Sequence, residues 1–209
     1  VGIGREPDPE LNRSEIRGMS TPQRIPRLNE LRIKIFSDGA DLDSIIDAHQ
    51  KGLVKGFTTN PTLMAKAGIT NYMTFAREVL RVVTDLPVSF EVFSDEFDEM
   101  REQAHKLAEL APMCTSRSRS RTRAASRPCP LIHELAEEGI RLNITAILSL
   151  RQVREVVDAL QPDVSAFVSV FAGRIADTGI DPLPIMKESL QILKPKPAPS
   201  CCGPAPANR

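Results

Sequence analysis

Apolar and polar positions follow two alternating rhythms along this chain. Leu31 to Ser37, Val54 to Thr58 and Val88 to Phe93 read as strands, and the stretches between them carry helical spacing. Asp41 to Gln50 predicts a helix with an acidic start and Gly52 just past its end, where a left-handed cap is needed. Pro61 stands where a first helical turn tolerates it, and a helix follows through Asn71 to Val83. Ser94 is a candidate cap for a helix whose apolar residues Phe97, Met100, Ala104 and Leu107 fall on one face. The rhythm then stops. It resumes with a helix over Leu131 to Glu138, a strand over Ile140 to Thr145 and a helix opened by Ser149 and Gln152 at capping-box spacing. A strand over Ala166 to Phe171 and a helix capped by Asp181 and Pro182, running to Leu193, complete the pattern.

Strand and helix alternating at roughly 30 residues per unit predict a parallel sheet, either a (β/α)₈ barrel or a doubly wound sheet. A helix near Pro130 with no strand before it means that one strand is missing. Of 17 prolines, four lie in residues 1–26, three between 112 and 130 and five after Lys194, and these regions lack periodicity. The expected organisation is a disordered extension over 1–30, a partial barrel over 31–193 interrupted by an Arg/Ser-rich segment at 113–129, and an aberrant tail at 194–209. The 209 residues carry 27 basic and 27 acidic side chains. No apolar run approaches a membrane span, and 41% hydrophobic residues exclude a wholly disordered chain. Four cysteines are too few for a disulfide scaffold, and no leader is visible, so a cytoplasmic location is expected. Met19 is an expected start, with residues 1–18 read through from upstream; a flexible N-terminal arm is the alternative.

Parallel α/β folds carry their chemistry at the C-terminal ends of strands. Those ends are polar here: Asp38, then Thr58, Thr59 and Asn60, then Glu91, then Asn143 and Thr145, then Ser169 followed by Arg174. Taken singly, Thr, Asn and Ser at such places are turn and cap residues. Taken together with two carboxylates and an arginine, they are a candidate site. Glu91 stands inside the apolar run Val-Ser-Phe-Glu-Val-Phe, where an unpaired carboxylate is costly to bury.

The stretch KGFTTNPTLMAKAG, Lys55 to Gly68, resembles the first signature of the transaldolase family, whose core is T-[ST]-N-P. SFEV at Ser89, LNITAILS at Leu142 and VSVFAGRIADTG at Val168 are similar to transaldolase strand ends in the same order. The resemblance implies a Schiff-base (β/α)₈ TIM barrel that moves a dihydroxyacetone unit from a ketose phosphate to an aldose phosphate, as in the pentose phosphate pathway. It implies that Asp38 is the general acid/base and that Glu91 and Thr145 hold the water used in forming and hydrolysing the Schiff base. Thr58, Asn60 and Asn143 would orient the dihydroxyacetone portion, and Arg174, helped by Ser169, would bind phosphate. Sugar phosphates are the implied partners; no metal or organic cofactor, nucleic acid or membrane is implied. Related aldolases that cleave fructose 6-phosphate without transfer carry Gln where this chain has Glu91 and Tyr where it has Phe171, so both residues favour the transferase.

The nucleophilic lysine of that family should lie on strand four, in a segment like YVKIPVTNTRGES, but the chain reads MCTSRSRSRTRAASRPCP. With GC-rich codons, and read one frame over from a TG closing the preceding codon, the family segment spells Cys114 to Arg127 residue for residue. The lysine codon AAG is then split between Ser116 and Arg117. A family-like ELLWASPGE, shifted likewise, spells Ser200 to Ala207. Frameshifts around strand four and near Pro199 are therefore expected, with strand four overwritten and strands seven and eight missing. Lys55 has the opposite parity to Thr58, and Lys34 lies four residues before Asp38, about 13 Å along a strand, so neither substitutes. The chain as written is expected to be inactive. A cleaving aldolase is the near alternative, and a non-catalytic protein with a nucleic-acid-binding Arg/Ser arm is the distant one. Cys114, Cys201 and Cys202 fall in the shifted segments, with Cys129 beside the first, and His49, His105 and His133 fall on helices as surface residues rather than ligands.

Overall fold

Seven parallel strands, each hydrogen-bonded to the next in chain order, make one sheet. The structure is a computed structural model that describes residues 27, 30–31, 33–110, 114–119, 128–194 and 201–204. The expected disordered extension lies outside the described residues, apart from Arg27 and Glu30. The chain divides after Ile33, and the sheet belongs wholly to the unit that begins at Lys34. Among the described residues no helix is long and apolar enough to cross a membrane.

The elements run β1 (Ser37–Asp38), α1 (Leu42–Gln50), β2 (Phe57–Thr58), α2 (Pro61–Lys66), α3 (Tyr72–Val82), β3 (Val88–Glu91) and α4 (Phe97–Ala108). Then come β4 (Cys114–Arg119), α5 (Cys129–Glu137), β5 (Leu142–Ile147), α6 (Leu150–Ala159), β6 (Ala166–Val170), α7 (Ala172–Ala176), α8 (Leu183–Leu193) and β7 (Cys201–Pro204). The helix starts follow the sequence closely. The side chains of Asp41, Asn60, Asn71 and Ser149 each accept a backbone N–H from the first turn of α1, α2, α3 and α6. Gly52 and Gly68 take φ of +63° and +73°, and Gly68 ends α2 before α3 begins. Two expected caps differ: Ser94 Oγ accepts from Glu96 N just ahead of α4, and Asp181 Oδ1 accepts from Leu183 N while Pro182 is the cap residue of α8.

A doubly wound sheet reverses its strand order, and this one does not. Two contacts show that the sheet curls instead. The Phe36 ring, one residue before β1, lies 5.2 Å from Phe167 on β6. In a flat sheet those strands would stand roughly 24 Å apart at about 4.8 Å per strand. Asn143 on β5 also reaches Ser89 on β3, skipping β4, as the layers inside a barrel require. Phe90, Val88, Ile144 and Val168 take the other face and pack with Val79, Leu107, Leu135 and Val153 in the core shared with the helices. Each such buried side chain contributes about 1.5–3 kcal/mol.

Two expectations about the strands are corrected. Cys114–Arg119 is not a gap but β4, in register with both β3 and β5. A ladder asks only for a backbone N–H and C=O at each residue, and this Pro-free stretch supplies them whatever its side chains. Strand seven is likewise present, Cys201–Pro204 pairing with β6, with Pro204 last in the strand. The described residues hold seven strands. The first two are shorter than expected, each pairing over two residues, although the Lys55 amide still donates to the Ile35 carbonyl at 2.7 Å.

Candidate active site

Asp38, Thr58 and Glu91 are the last residues of β1, β2 and β3, so sheet geometry alone sets them on one rim. Asp38 is in register with Thr58, and the Thr58 hydroxyl donates to the Asp38 carboxylate at 2.6 Å. Thr58 is in turn level with Ser89, two residues before Glu91 and of the same parity. Glu91 is buried, and its backbone carbonyl accepts from the Tyr72 hydroxyl of α3 at 2.7 Å. Tyr72 is held edge-on against Phe93 and Phe90.

On the far side of β4, Asn143 and Thr145 are also buried and share the parity expected for them. The Ser169 hydroxyl donates to Asn143 Oδ1 at 2.8 Å, and Asn143 Nδ2 donates to Ser89 Oγ at 3.1 Å. These bonds tie β3, β5 and β6 together inside the sheet. Just beyond Thr145 the β5–β6 register slips between Ile144 and Ile147, and Ala146 takes φ +59°. A left-handed non-glycine residue costs about 1–2 kcal/mol, and bulges of this kind turn a strand beside a site. Nothing in the run Thr-Ala-Ile announces it.

Between the two groups lies β4. Arg117 is in register with Glu91 on one side and Asn143 on the other. Its neighbour Ser116 is buried with its hydroxyl on the Ala104 carbonyl of α4, so Ser116 belongs to the helix side and position 117 to the opposite parity. Every lysine among the described residues is exposed, Lys34 and Lys55 included.

Two expected members stand differently from the rest. Asn60 is the cap of α2, its Oδ1 taken by the Leu63 amide at 3.0 Å, so the turn-and-cap reading holds for that oxygen. Arg174 sits on the short helix α7, about half exposed, and pairs with the Asp177 carboxylate at 3.6 Å. Phe171, the residue before α7, donates its amide to the Ile147 carbonyl at the bulge. The histidines are surface residues on carboxylates: His49 on Asp85, His105 on Glu138 and His133 on Glu137. Among the described residues no cluster of His, Cys, Asp or Glu could hold a metal ion. The cysteines Cys114, Cys201 and Cys202 fall on β4 and β7, and Cys129 opens α5.

A family described as Transaldolase/Fructose-6-phosphate aldolase matches residues 35–201. A "Probable transaldolase" of Dehalococcoides mccartyi is 33% identical over 162 residues, covering 78% of this chain and 71% of the relative. Those of Heliobacterium modesticaldum and Cereibacter sphaeroides are 32% and 34% identical, each over 77% of this chain and over 70% and 68% of their own lengths. With its barrel-type sheet, its polar strand ends and matches of this extent, the chain belongs to the transaldolase/fructose-6-phosphate aldolase family.

Proposed function

We propose that this chain derives from a transaldolase that transfers a dihydroxyacetone unit between sugar phosphates through a lysine Schiff base. As written, it lacks the lysine because the reading frame is shifted across β4. One coincidence carries this reading. The shifted codon falls across Ser116 and Arg117, and the sheet independently brings Arg117 level with Glu91 and Asn143. In the reaction, the amine attacks the ketose carbonyl and loses water to form the imine, with Glu91 and Thr145 holding that water. Asp38, fixed by Thr58, takes the hydroxyl proton as the carbon–carbon bond breaks, and the electron pair passes to the iminium. The aldose product leaves, an acceptor aldose takes its place, and the steps reverse.

Glu91 and Phe171 favour transfer over simple cleavage. For the nucleic-acid reading, Cys114–Arg119 is paired on both edges, which leaves that stretch no free arm. The cytosolic pentose phosphate pathway is the proposed setting.

The test is borohydride reduction with fructose 6-phosphate, read by intact mass, on three proteins: the chain as written, Arg117→Lys, and a chain with Cys114–Arg127 restored to the family frame. The restored chain should trap one adduct, Arg117→Lys a smaller fraction, and the chain as written none. An adduct on the chain as written would overturn the reading. Turnover of the restored chain with and without erythrose 4-phosphate then separates transfer from cleavage.

A further inference from the structure

Asn143 is the only residue of the buried polar group whose amide is gripped from two other strands. Ser169 of β6 donates to its Oδ1, and its Nδ2 donates to Ser89 of β3. A primary amide offers two N–H hydrogens and two lone pairs, and these bonds use one of each. A side-chain amide with a single anchor can rotate about its last torsion, because that torsion is broad. With both ends held, the plane of the amide is fixed.

Ser89 does this from an unusual place. It is fully buried, two residues before Glu91, and level with Thr115, whereas Asn143 is level with Arg117. The Ser89–Asn143 bond therefore crosses β4 one layer below position 117, towards the N-terminal end of the strands. The second N–H of Asn143 has no hydrogen-bond partner among the described residues.

We propose that Ser89 is a positioning residue: it fixes the Asn143 amide so that its remaining N–H serves the hydroxyketone end of a bound ketose phosphate. The ligand class rests on the sugar-phosphate reading above; the positioning does not. The role differs from that of a packing serine, because it acts through the orientation of a second side chain.

The chain as written suffices for the test, since no covalent step is needed. Ser89→Ala, Ser89→Thr and the unaltered chain are compared in two measurements. The first is the Asn143 side-chain NH₂ resonance pair, assigned by its loss in Asn143→Asp. It should move in Ser89→Ala and return towards its original position in Ser89→Thr, which keeps the hydroxyl. The second is affinity for fructose 6-phosphate and for inorganic phosphate. Ser89→Ala should weaken fructose 6-phosphate binding about tenfold, the effect of one lost hydrogen bond, and leave inorganic phosphate unchanged. An NH₂ pair unmoved in Ser89→Ala, or an equal loss for both ligands, would overturn the proposal. If neither the unaltered chain nor the frame-restored chain binds fructose 6-phosphate, the substrate reading fails, while the resonance pair still decides the positioning.

Discussion

Asp38 and Thr58 are twenty positions apart in sequence and 2.6 Å apart in space, and their parity on two short strands is enough to bring them together. If Asp38 moves the proton in bond cleavage, Asp38→Asn in the frame-restored chain should still trap a borohydride adduct. Its turnover should fall by about 100-fold or more. Equal loss of both would place Asp38 in imine formation instead. Gly56 gives a second residue-scale prediction. A Cβ there would lie 2.2 Å from the Phe36 ring and 2.8 Å from the Pro87 carbonyl. Gly56→Ala should cost about 1–3 kcal/mol in urea unfolding, and Phe36→Leu in the same chain should recover only part, because the carbonyl cannot withdraw. A neutral Gly56→Ala would mean that the ring is not seated there. Residue types at strand ends made the gathering of Asp38, Thr58 and Glu91 on one rim legible. Ser89 is not legible as a site residue, because a serine in an apolar run carries no signal until its partner two strands away is known. Arg174 is expected from the sequence beside Ser169 as a phosphate binder, whereas it lies on α7, five residues with too short a period to read.

At the scale of elements, α4 and α5 flank β4 and are joined to each other across it. Arg101 holds Glu134 with two bonds, 2.6 and 3.0 Å, and Asp98 with a third, while His105 meets Glu138. The guanidinium keeps the Glu134 carboxyl below its usual range, chiefly through that side-chain hydrogen bond, and the carboxylates raise Arg101 in turn. A carboxyl with a lowered folded value stabilises the fold above its unfolded value, about 4.3, and loses that contribution as pH falls through the folded one. Melting temperatures of the parent and Glu134→Gln should therefore differ at pH 7 and converge towards pH 3, the gap also narrowing in high salt. A gap independent of pH would assign the effect to packing. β4 itself is tested by hydrogen exchange. Ser116 N bonds to the Arg141 carbonyl at 3.0 Å and should be protected like its neighbours in β3 and β5. Exchange at the rate of an open loop would remove β4 from the sheet. Helices were legible because capping residues and apolar faces are local. β4 and β7 were not, because their place comes from unpaired ladders on neighbouring strands and their own side chains have no apolar alternation.

For the whole molecule, the neutral charge conceals an acidic body. Five of the 27 basic residues are arginines between Arg117 and Arg127, and without them 22 basic face 27 acidic, a net of minus five. The frame-restored chain should accordingly elute later from an anion exchanger at pH 7 than the chain as written, and identical elution would contradict that balance. Alternation alone made a parallel sheet legible and left its strand order open between a barrel and a doubly wound sheet, whereas its curl needed contacts that no local pattern contains. One of those contacts bears on traffic. Phe36, seated against Gly56 and meeting Phe167, fills the interior near the starts of the strands, while the polar group gathers near their ends. Under the proposed transfer, an interior plugged at the strand starts would leave the polar rim as the way in and out along the strands, so departing aldose and incoming acceptor would contend for the same passage.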